Sequence, residues 1–187
     1  MSKIKPVIVL SLIMTIVSAL LIVTHNLTYV DTSGILTDEL REKCVLVMGE
    51  GEYSIIADWK AEGYVIEKPE SVAKLIKKSD GALAFEIIVS GYNKNGLDLL
   101  IAMNSDGSVK GIEIVSIAET PGLGTKVNDS SFLDKFAGMD SIVEIVKKTP
   151  SAENQIEAVS GATYSSEGVA EAVNIAIETY KEMGAVK

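Results

Sequence analysis

From Val7 to Val23 the chain carries no charge, and only Ser11, Thr15 and Ser18 interrupt the apolar residues; Pro6 and Thr24 extend the uncharged run to nineteen. At a rise of about 1.5 Å per residue, such a helix is close to the shortest that crosses a bilayer core. Lys3 and Lys5 precede it, and no Lys or Arg follows until Arg41. The bias of basic residues towards the cytoplasmic side then predicts a cytoplasmic N-terminus and an external remainder. A cleaved signal peptide is the competing reading, with Val17-Ser18-Ala19 as a weak cleavage-like triplet. Apolar residues continuing through Val23 suit an uncut anchor better.

Beyond the anchor the pattern changes repeatedly. Asp38 to Val47 reads as a helix, broken by Gly49-Glu50-Gly51-Glu52. Tyr53 to Trp59 and Gly63 to Glu67 read as short strands, and Ser71 to Lys78 as a short helix. Leu83 to Ser90, Leu97 to Met103 and Val109 to Ile117 are apolar, Ile- and Val-rich strands, with Asp106-Gly107 as a hairpin turn. Phe132, Phe136 and Met139 have the spacing of a short helix, whereas Ile142 to Val146 suits helix or strand. Val169, Val173, Ala176, Ile177 and Tyr180 recur on one face of a helix reaching Met183. This order predicts an α+β fold: an antiparallel, twisted, half-barrel-like sheet packed with helices and preceded by one transmembrane helix. Residues 1–30 form the anchor and 31–187 the domain, with Asp31 to about Trp59 standing between membrane and domain.

Composition narrows the chemistry. The net charge is −9 over 187 residues, and without Lys3 and Lys5 it is 15 basic against 26 acidic residues, or −11. Nucleic acid and anionic membrane surfaces are poor partners for such a domain. A single cysteine, Cys44, excludes an intrachain disulfide or a cysteine-ligated iron-sulfur cluster, and reads as an apolar helix residue. His25 is the only histidine, so no Ser-His-Asp triad or His-rich metal site is expected outside the membrane segment. Nor does any Gly-x-Gly-x-x-Gly lie between a strand and a helix, which argues against dinucleotide binding. The anchor has no polar path, so this chain would not pump ions alone.

Two segments carry candidate chemistry. In Ser160-Gly161-Ala162-Thr163-Tyr164-Ser165-Ser166, a threonine hydroxyl sits on a small-residue turn before the last helix. Gly161 and Ala162 let an anion approach the backbone, Ser165 and Ser166 are candidates for the helix cap, and the unpaired amides and positive dipole end face the same spot. By spacing alone, an ordinary Ser-rich cap is the commoner arrangement. In Glu119-Thr120-Pro121-Gly122-Leu123-Gly124-Thr125-Lys126, Pro121 with Gly122 and Gly124 predicts a tight turn that exposes backbone amides and Leu123, a surface that can meet a flat ring. A plain Pro-Gly turn is the default for such a loop taken singly.

Together, in this order, these motifs resemble the flavinylation and Glu-Thr-Pro-Gly-Leu-Gly motifs of the FMN-binding domain family. The likeness spans about Leu83 to Met183, including Gly91-Tyr92 and the Asn104 to Gly107 turn. One departure is Glu157, where the family usually has aspartate. The resemblance implies that Thr163 carries FMN through a phosphoester bond made by a separate flavin transferase. Ser160, Gly161, Ala162, Ser165, Ser166, Glu119, Thr120, Gly122, Leu123 and Gly124 would surround the cofactor, and Tyr92, Tyr164 and Trp59 are candidate ring-stacking partners, each more ordinarily a core aromatic. Within the family, the single anchor and modest length are most similar to the G subunits of Rnf-type complexes, ahead of the C subunits of sodium-translocating NADH:quinone oxidoreductases. That implies an electron-transfer subunit of a complex coupling electron flow between ferredoxin and NAD to sodium or proton movement, with the other subunits as partners. The alternative is an FMN-binding domain of a different external reductase, or a membrane-anchored binding or regulatory module.

Overall fold

In a computed structural model, residues 4–28, 34–64, 66 and 68–184 are described. The chain divides into two compact units, Met1–Thr32 and Ser33–Lys187. The first contains helix α1, Ile4–Thr28. Its stretch Val7–His25 has a mean hydropathy of 2.8 and is long and apolar enough to cross a membrane. The hydroxyls of Thr15, Thr24 and Thr28 donate to the carbonyls of Ser11, Leu20 and Thr24, so these polar groups are satisfied within the helix.

In the second unit, five antiparallel strands run in simple chain order: β1 Tyr53–Ile56, β2 Val72–Lys78, β3 Leu83–Val89, β4 Leu97–Met103 and β5 Val109–Ile117. Alternation along the strands divides the core into two layers. Leu83, Phe85, Ile87, Leu97, Leu99 and Ile101 join a cluster with Val169, Val173, Ala176 and Ile177 of helix α4, Thr163–Gly184. Ala84, Leu100 and Ala102 point the other way, to Leu40, Cys44, Val47 and Met48 of helix α2, Asp38–Met48. Burial on both faces explains why β3 and β4 are almost continuously apolar.

Several elements differ from the sequence expectation. Residues 72–78 form strand β2, not a helix: Lys74 pairs with Glu86, and Ile76 with Ala84, so β2 is fixed by its neighbours in the sheet. The strand expected over Tyr53 to Trp59 stops at Ile56, and Trp59 packs in the core against Phe85, with ring centroids 6.4 Å apart. Gly63 lies in a turn, and of the strand expected over Gly63 to Glu67, residues 65 and 67 lie outside the described residues. Residues 38–56 belong to the domain, since α2 covers one sheet face and β1 extends the sheet; 31–33 lie outside the described residues. Beside the expected antiparallel sheet, strand β6, Glu144–Val146, pairs in parallel with β7, Gln155–Glu157, in a separate two-stranded sheet. The short helix α3, Ser130–Leu133, is capped by Asp129 and passes into a 3-10 turn through Phe136.

Candidate functional site

Both motifs fold into turns with glycine at the third position. Leu123 N donates to Thr120 O at 3.1 Å across Pro121 and Gly122, and Gly122 has φ of 73°. Ala162 N donates to Val159 O at 2.9 Å across Ser160 and Gly161, and Gly161 has φ of 79°. Each glycine stands where a type II turn needs a positive φ that other residues resist.

The second turn is held from both sides. Strand β7 leads into it, and Ala158 N donates to Val146 O at 2.8 Å. Asn174 of α4 holds the residue just before β6 by accepting from Val143 N and donating to Val143 O. Helix α4 begins at Thr163, so Ser165 and Ser166 lie inside its first turn and are not its cap. Ser166 is fully buried, donates to Ala162 O at 2.9 Å and accepts from Val159 N at 3.0 Å. The amides of Thr163, Tyr164 and Ser165 precede the first intrahelical bond, Ser166 N to Ala162 O, and stand at the positive end of α4.

The two turns meet at a cleft of about 370 Å³ lined by Tyr92, Thr120, Leu123, Gly124, Gly161, Ala162, Thr163, Tyr164 and Ser165. Tyr92 and Tyr164 are 70% and 65% exposed, with ring centroids 6.3 Å apart, and Leu123 is 48% exposed. The lining has no charged side chain, so the dipole end of α4 is the principal electrostatic feature offered to an anion here. The amides of Gly122, Leu123, Thr125 and Lys126 are engaged inside the upstream loop, contrary to the expectation that they are displayed.

The structure thus brings Thr120, Leu123, Gly124, Gly161, Ala162, Thr163 and Ser165 to one cleft. Ser160 is exposed, Ser166 is buried, and neither lines the cleft; nor does Gly122. Trp59 is removed from the candidate ring partners by its place in the core. Glu119 lies behind the cleft wall, 5% exposed, accepting from Tyr92 N at 3.1 Å, Asn93 N at 3.0 Å and Ser165 Oγ at 2.6 Å. Sequence reasoning overlooked that glycines 91, 96 and 124 leave the space this carboxylate fills; a Cβ on each would come within 2.5 to 2.9 Å of its oxygens. Their signal was the pair Gly91 and Gly96 just before an apolar strand, with Gly124 in the Pro-Gly loop.

Residues 91–178 match the FMN-binding domain family. The chain is 32% identical over 126 residues to the G subunit of the Na(+)-translocating ferredoxin:NAD(+) oxidoreductase complex of Acetobacterium woodii, covering 63% of this chain and 60% of that one. It is 33% identical over 103 residues to the G subunit of the proton-translocating ferredoxin:NAD(+) oxidoreductase complex of Clostridium ljungdahlii, covering 54% and 56%. The match thus spans less than two thirds of these relatives' length. In fold, it resembles the C subunit of the Na(+)-translocating NADH-quinone reductase of Parabacteroides distasonis, with a TM-score of 0.51 at 21% identity over 78% of this chain and 82% of that one.

Proposed function

Because this chain carries a domain of the FMN-binding domain family, we propose that it holds FMN covalently on Thr163 and serves as a membrane-anchored electron-transfer subunit. The observation that carries this reading is the shared cleft: an acceptor hydroxyl at the positive end of α4, beside two exposed tyrosines and Leu123. A flavin phosphate fits the first group, with Thr163 Oγ1 as the ester oxygen and the first-turn amides as donors. A flat, largely apolar ring fits the second, and the cleft volume lies in the range of about 300–1,000 Å³ usual for small-molecule sites. Bound flavin supplies one- and two-electron chemistry, while the protein supplies position and electrostatics. The cleft lining offers no carboxylate, lysine or histidine, so the base that accepts the Thr163 proton is assigned to a separate flavin transferase.

The wider role follows the relatives named as G subunits of ion-translocating ferredoxin:NAD(+) oxidoreductase complexes. In this reading α1 anchors the chain once in the cytoplasmic membrane, residues 31–187 lie outside, and the remaining subunits provide the ion path and the partner redox centres. The test is intact-mass measurement of the chain produced together with a flavin transferase. The parent should carry one FMN, Thr163→Ala none, and Thr163→Ser a part of it. Covalent flavin persisting on the alanine variant would reject the assignment.

A further inference from the structure

We propose that Glu119 is a positioning residue for this cleft, a buried clamp that holds the Tyr92 wall and the first turn of α4 in the arrangement that receives FMN. The inference rests on the cofactor reading above. Glu119 does not line the cleft, yet Tyr92, Gly124 and Ser165 all do, and each of the three touches it. Among the described residues no Lys or Arg pairs with it; two backbone amides and one hydroxyl are its donors. All three use it as an acceptor, the role of an ionised carboxylate, and a buried charge persists only when so supplied. The surrounding space is reserved for it. A Cβ on Gly96 would lie 2.5 Å from Oε1, one on Gly91 2.9 Å from Oε1, and one on Gly124 2.6 Å from Oε2.

The donor arrangement makes the group irreplaceable by its amide. Oε2 accepts from Tyr92 N and Ser165 Oγ, and Oε1 accepts from Asn93 N. In Glu119→Gln, one of these positions becomes an NH₂ donor facing a backbone N–H, whichever way the amide is turned. The Ser165 hydroxyl can rotate to accept; the amides of Tyr92 and Asn93 cannot. One of the two backbone contacts that set Tyr92 is therefore lost, and a buried donor is left unsatisfied. Ser165→Ala is milder, because both backbone contacts remain.

The experiment uses the full chain in detergent. FMN is titrated into a Thr163→Ala background, where attachment is impossible, and covalent occupancy is measured in parallel with Thr163 present. Glu119→Gln should weaken FMN binding at least fivefold, lower covalent occupancy, and reduce the visible circular dichroism of the flavin that remains. Gly96→Ala should act in the same direction: its methyl displaces Oε1 without touching the cleft. Ser165→Ala should fall between these and the parent. If Glu119→Gln does not fold, Gly96→Ala and Ser165→Ala decide the matter. Parent-like FMN affinity and flavin dichroism in folded variants, with only the unfolding midpoint lowered, would reduce Glu119 to a structural residue and overturn the proposal. Covalent flavin on Thr163→Ala would instead reject the attachment site, leaving the affinity comparison to judge Glu119.

Discussion

Leu123 covers Gly161: its Cδ2 methyl lies 3.5 Å from the point that a Cβ on Gly161 would occupy. The loop and the acceptor turn are therefore parts of one surface. Leu123→Glu should lower covalent FMN occupancy at least threefold and also shift the visible spectrum, since it brings a negative charge beside the phosphate position. Gly122→Ala differs, because nothing lies within 4 Å of the added methyl and only its positive φ is strained. It should cost about 1–2 kcal/mol in a urea titration while leaving occupancy close to the parent's.

The aromatic residues should separate by function. Tyr92→Ala and Tyr164→Ala remove exposed cleft walls, and are expected to weaken the visible dichroism of bound FMN with less than about 1 kcal/mol lost in stability. Trp59→Ala empties a core site against Phe85 and should cost about 3–5 kcal/mol. At temperatures where the Trp59 variant is still folded, its flavin spectrum should match the parent's. A spectral change there as large as in the tyrosine variants would contradict this division.

On the α2 side of the sheet, Glu86 is paired with Lys74 at 2.6 Å, close to the half-buried Asp98, whose Oδ1 has no hydrogen-bond partner among the described residues. Burial pushes the Asp98 carboxyl up to about 7, and the negative charge of Glu86 adds to the rise against the opposing effect of Lys74. Between about pH 4 and 7 the folded state holds a proton that the unfolded chain has released, so this group's contribution to stability falls as pH rises and levels off above 7. Asp98→Asn should remove that slope. With allowance for solvent screening of the half-buried group, the variant should be about 2 kcal/mol more stable than the parent at pH 8, and similar to it at pH 4. Parallel stability curves for the two proteins would contradict this.

A cytoplasmic N-terminus and an external domain are expected from Lys3 and Lys5 before the apolar helix and the basic gap to Arg41. A reporter active only outside the cytoplasm, fused after Lys187, should be active. Moving the basic residues, by Lys3→Ser and Lys5→Ser with two lysines placed after Thr28, should lower that signal.

The legible parts of the fold were those whose signal is local. Strands β3, β4 and β5 sit where their apolar runs place them, and α2 starts where Thr37 accepts from Leu40 N and ends at Gly49, with φ of 80°. Strand β2 was misread because Val-Ala-Lys-Leu-Ile-Lys-Lys is short enough to satisfy a helical spacing, and only pairing with β1 and β3 gives its backbone donors and acceptors their partners. Strand β6 falls within a run that suits helix or strand, but its parallel pairing with β7 is not legible, because each is three residues long and neither has a register until the other is beside it.

At the site, the sequence by itself determined the chemistry available. It provided a threonine on a small-residue turn before an amphipathic helix, glycines where turns need positive φ, and an apolar run long enough to cross a membrane, because each depends on neighbours within a few residues. Only the tertiary structure decided which residues share the cleft. It carried Trp59 into the core, placed Tyr92 beside Tyr164, and buried Glu119 against Ser165. Those relationships join segments far apart in the chain, and they exist only once the sheet has brought the loop after β5 against the first turn of α4.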